Sequence, residues 1–97
     1  MPERDIKAEQ RRLAILQFLK DDPDYKVNDA LLLELLASIG FGVSKNVLSA
    51  DLMFLEESQL VSTSDIAGCT LVILRGNGYG VATGVSVIPG IARPRPE

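Results

Sequence analysis

The chain has 97 residues, 46% of them hydrophobic, with three Phe, two Tyr and no Trp, which suits one small domain with a mostly aliphatic core. One cysteine and no histidine exclude an internal disulfide and a structural zinc site. A formal net charge of −3 runs against the basic balance usual in small DNA-binding domains.

The charged start PERDIK stands where the apolar part of a signal peptide would be. No apolar run approaches the roughly 18 residues of a membrane span, so a cytoplasmic protein with no membrane partner is expected. Residues 1–5 read as a frayed start. Asp5 can cap a first helix that runs to about Lys20. Ile6, Leu13, Leu16 and Lys20 fall on one face, and Ile15, Phe18 and Leu19 widen the apolar arc. Arg4, Lys7, Arg11 and Arg12 make its first half basic, diluted by Glu3, Asp5 and Glu9. Pro23 ends the helix, because it disfavours the helical region for Asp22.

A second helix is predicted over residues 28–39, capped by Asn28. Leu31, Leu32, Leu33, Leu35, Leu36 and Ile39 leave a polar face of little more than Asp29, Glu34 and Ser38. A helix apolar all round is a buried helix, and a chain this short has difficulty burying one alone, which points to a homodimer. Gly40 suits the left-handed position that closes a helix. Ser44 then caps a third helix over residues 44–59. In it Val47 or Leu48, Leu52 and Leu55 face inward, while Lys45, Asn46, Ser49 and Met53 face outward. Two helices joined by a short glycine-bearing turn form the helix-turn-helix pattern.

The pattern then turns to β. Residues 60–63 read as a short strand, residues 64–68 as a turn and residues 69–75 (CTLVILR) as a strand buried on at least one face, with Cys69 a small buried hydrophobe. The pair Asn77-Gly78 is a hairpin signal that would make residues 79–87 a third strand, and the glycines at 76, 78, 80 and 84 argue against a helix. Residues 85–97 are Pro-rich and aperiodic and read as an extended tail, polyproline-like at Pro94 and Pro96, able to pack through Val85, Val87, Ile88 and Ile91. Residues 1–84 then form the domain.

These elements carry a resemblance. Residues 48–61, LSADLMFLEESQLV, resemble the recognition helix and first wing strand of winged helix-turn-helix regulators. Leu74, Gly78, Val81, Ala82, Gly84, Pro89, Gly90, Arg93 and Pro94 resemble a pattern of small winged-helix proteins of Mu-like phages and prophages. The resemblance covers roughly residues 10–95. It implies an α+β fold of three helices and a β-hairpin wing, a role in transcription regulation, and a short final helix after Leu74. Arg75, Gly76 and Gly80 depart from the family pattern, so the short helix and the third strand both stay open.

Two functions follow. The first is a homodimeric, DNA-binding regulator with its third helix in the major groove. Ser44, Lys45, Asn46, Ser49 and Met53 would meet DNA there, Asn46 as the partner of an adenine edge, and Arg75 would contact phosphate from the wing. Arg93 and Arg95 could form a short basic arm. The second is a protein-interaction module that uses leucine-rich helices and binds DNA weakly or not at all. Between Val27 and Thr63 the only basic residue is Lys45, against Asp29, Glu34, Asp51, Glu56 and Glu57, which favours the second; the family resemblance favours the first, and the regulator is the expectation taken from the sequence. Asp51, one turn and a half from Lys45, is expected to be a salt-bridge partner on the helix surface or on its inner side. Catalysis has no support, since no histidine is present and nothing would activate Cys69, and no cofactor or metal motif stands out.

Overall fold

A computed structural model describes residues 5–95. The expected frayed start at residues 1–4, the Arg4 charge and Pro96 lie outside the described residues. The chain forms α1 (Ile6–Asp21), β1 (Lys26–Asn28), α2 (Asp29–Ser38), α3 (Lys45–Glu57), β2 (Val61–Ile66), β3 (Cys69–Leu74) and α4 (Gly76–Thr83). The architecture is α+β: four helices and a three-stranded antiparallel sheet of order β1-β3-β2.

The three predicted helices form where their caps place them. Asp5, Asn28 and Ser44 each accept from the backbone N–H three residues on, satisfying a donor that the helix itself leaves free. Helix α2 closes as expected at Gly40, with φ +89°; the Phe41 N–H donates to the Leu36 carbonyl at 2.8 Å and the Gly40 N–H to the Ala37 carbonyl at 3.2 Å. Helix α3 closes in the same way, but with Gln59 at φ +63° in the position that glycine usually fills.

The core is aliphatic. Leu16 and Leu19 of α1, Leu32 and Leu36 of α2, Leu48 and Leu55 of α3 and Val72 of β3 are all sealed from solvent. Ile6, expected on the inner face of α1, is exposed, and Ala8 and Arg11 are buried instead. The apolar second helix is not buried all round: Leu31 and Ile39 are 43% and 49% exposed, while the acidic Asp29 is buried.

The strand β1 was not expected. Tyr25, with φ +57°, turns the chain after α1, and its carbonyl accepts from the Leu74 N–H at 2.8 Å, bringing Val27 opposite Val72. The hairpin is longer and tighter than expected. Strand β2 continues to Ile66, and the turn is only Ala67 and Gly68, both with positive φ, the geometry that follows the twist of paired strands. Cys69 lies at this tip and is exposed, not buried.

Residues 76–83 are helical, not a third strand. Packing overrides the low helix propensity of glycine here. A Cβ on Gly78 would lie 2.2 Å from the Leu60 carbonyl oxygen, so its bare backbone lets α4 press against the start of β2. Val81 and Ala82 then bury in the core beside α1. Residues 85–95 form turns without helix or strand, and they fold back on the domain. Ile91 is buried, Ile88 and Ala92 pack on the core, and the Ala92 N–H donates to the Glu9 carbonyl at 3.1 Å. Val85 and Val87 stay exposed.

Two substitutions test this backbone account. Gly78→Ala must displace main chain and is expected to cost about 2–3 kcal/mol in urea unfolding. Gln59→Gly relieves a left-handed side-chain residue and is expected to raise stability by about 1 kcal/mol.

Candidate interaction face

The exposed side of α3 and the hairpin beside it hold most of the residues singled out from sequence. Lys45, Asn46, Ser49 and Met53 all project to solvent, as their helical spacing predicts, and Met53 is 62% exposed. The Ser44 hydroxyl is taken by the cap of α3, accepting from the Val47 N–H at 3.3 Å.

Arg75 does not join them. It is the residue before α4, at the base of the hairpin, where its N–H donates to the Leu60 carbonyl at 3.0 Å. The tip at Ala67 and Gly68 lies seven residues away, about 23 Å further along the strands. Neither the tip nor the strand residues flanking it carry a basic side chain; residues 64–70 read SDIAGCT, with Asp65 their one charge.

Behind α3 the chain uses its arginines internally. Asp51 is 2% exposed on the inner face of α3, and Arg11 is 8% exposed on α1. The Arg11 guanidinium grips Asp51 through two nitrogens, Nε to Oδ2 and Nη2 to Oδ1. Arg12 adds a third donor, Nε to Oδ1 at 3.1 Å, lies 4.4 Å over the Phe54 ring, and donates through Nη1 to the Gly90 carbonyl at 2.9 Å. The hydrogen bond that Arg11 donates to Asp51 raises the arginine's pKa above the ordinary value, against the opposing effect of burial. Asp51 therefore does not pair with Lys45. Six residues apart on a helix, the two point about 120° away from each other. Lys45 instead approaches Asp29 at 3.9 Å, near the limit of an ion pair.

Between α3 and the hairpin runs a cleft lined by Ser49, Leu52, Met53 and Glu56 on one side and Thr63, Asp65 and Thr70 on the other, with Asp29 at its end. Hydrogen bonds fix its three carboxylates. Glu56 Oε2 accepts from the Thr63 N–H at 3.1 Å and from its hydroxyl at 3.0 Å. Asp65 Oδ1 accepts from the Thr70 hydroxyl at 3.0 Å. Asp29 Oδ1 accepts from the Ala30 N–H at 2.9 Å and the Thr70 N–H at 3.4 Å. The sequence offered Asp29, Glu56 and Asp65 only as scattered acids; their convergence needs the hairpin register.

Among the described residues no group of three or more His, Cys, Asp or Glu side chains is arranged to hold a metal ion, and no helix is long and apolar enough to cross a membrane.

Asp51→Ala leaves two arginines without their anion and is expected to destabilise the fold by about 3 kcal/mol, lowering the melting temperature by more than about 10 °C in a calorimetric scan.

No protein-family model matches the chain, and no solved structure matches it. A curated relative, "Uncharacterized protein gp26" of Escherichia phage Mu, is 37% identical over 93 residues, which cover 96% of each chain.

Proposed function

The chain belongs to the same family as gp26 of Escherichia phage Mu, and from that premise we propose that it is a winged-helix protein-interaction module of a Mu-like phage or prophage. The helix order, with a strand between α1 and α2 and a hairpin after α3, supports the winged-helix reading, with α3 in the place of a recognition helix and β2–β3 as the wing. One observation carries the choice of partner. The face that α3 and the hairpin present has Asp29, Glu56, Glu57 and Asp65 against the single cation Lys45. Arg11 and Arg12 cannot offset this, because Asp51 holds them on the opposite side of α3. DNA binding rests on neutralising phosphates, and this face would repel them. A protein surface has no such requirement. The half-exposed Leu31 and Ile39 of α2 favour a homodimer within this reading.

A DNA-binding regulator is the second reading. It is favoured by Lys45, Asn46 and Ser49, which are exposed at the start of α3 with groups able to meet a phosphate and base edges. The discriminating experiment is fluorescence anisotropy with labelled duplex fragments at about 50 and 200 mM salt, beside light scattering on the same sample. The interaction module predicts no sequence-selective shift at either salt and a dimer mass. Selective binding that weakens steeply with salt, and is lost in Lys45→Ala and Asn46→Ala, would establish the regulator instead.

A further inference from the structure

We propose that the cleft between α3 and the β2–β3 hairpin docks a basic, extended segment of a partner protein, with arginine or lysine side chains directed to Glu56 and Asp65. The inference rests on the interaction-module reading and names its partner's chemistry. Charge complementarity is the first support: three carboxylates line the cleft, and Lys45 is the one cation near them. The second support is how those carboxylates are held. Glu56 and Asp65 each use one oxygen to anchor themselves on Thr63 or Thr70, and among the described residues the other oxygen of each accepts no hydrogen bond. Such anchored acceptors lose little freedom when a guanidinium or ammonium arrives. The third is the lining: the exposed Met53 offers apolar surface for the methylene stem of a long basic side chain.

The mode of docking follows from the sheet edge. Strand β2 is an outer strand, and the Glu56 carboxylate already occupies the Thr63 N–H. Side chains rather than an added β-strand therefore receive the partner.

The test is an amide NMR titration of the full chain with a short arginine-rich peptide, its glutamate-for-arginine counterpart and a DNA duplex. The expected result is that only the basic peptide binds, with shifts concentrated at Ser49, Met53, Thr63 and Thr70. Affinity should fall about ten-fold in Glu56→Gln/Asp65→Asn and hold in Asp24→Asn/Glu34→Gln, which removes the same charge from exposed positions elsewhere. Dispersed spectra confirm that each variant is folded. Equal losses in the two double variants, shifts scattered over the surface, or no shift with the basic peptide would overturn the proposal. In the last case, silence of the duplex leaves the interaction module standing, whereas duplex-induced shifts on the same residues would bring down both.

Discussion

The ion cluster of Asp51 with Arg11 and Arg12 fixes how the first and third helices meet, and much of the molecule depends on it. A carboxylate 2% exposed is costly unless its charge is answered and its lone pairs are filled. Two neighbouring arginines of α1 do both. Arg12 extends the same cluster to the Phe54 ring and to the Gly90 carbonyl, so residues 85–95 are tied to the α1–α3 crossing and not left extended. Gly90 permits this close approach: its φ is +92°, and a Cβ there would lie 2.8 Å from the Phe54 ring. One buried pairing thus orients α3, anchors the end of the chain and divides the charge of the protein.

That division governs the surface. With Arg11 and Arg12 drawn to one side of α3, its other side is left with Lys45 amid carboxylates. Counting charges along the chain already suggested an acidic helix-turn-helix segment, but the count treated Asp51 as one of its acids and took no account of the α1 arginines. The structure buries Asp51 and Arg11 and turns the partly exposed Arg12 onto the same carboxylate. The acids that remain include Asp65, which enters from the hairpin, so the outward face keeps its negative balance for a different reason than the linear count gave.

Elements governed by local chemistry were legible in the sequence. Asp5, Asn28 and Ser44 cap helices because their side chains meet donors three residues away, and Gly40 closes α2 because its backbone requirement is local. The outward set Lys45, Asn46, Ser49 and Met53 followed from helical spacing alone. What depends on distant partners was not legible. Three residues of β1 show no strand period, and they pair only because β3 supplies the ladder. The glycines of α4 imitate a hairpin turn; their helix is selected by contact between Gly78 and Leu60, eighteen residues apart in sequence. Arg11 and Asp51 are 40 residues apart, beyond any periodicity argument. Cys69 was read as buried from the apolar run around it, whereas the two-residue turn at Ala67 and Gly68 places it at the exposed tip of the hairpin.

The most direct test of the account is a double-mutant cycle on Arg11 and Asp51, measured by urea unfolding of the Arg11→Met, Asp51→Leu and combined variants. If the buried pairing organises the fold, the combined variant should lose less stability than the two single losses added together, by about 1.5–3 kcal/mol. Additive losses, with a coupling within about 0.3 kcal/mol of zero, would show that the arginines are not committed to Asp51 and would return them to the charge available at the surface.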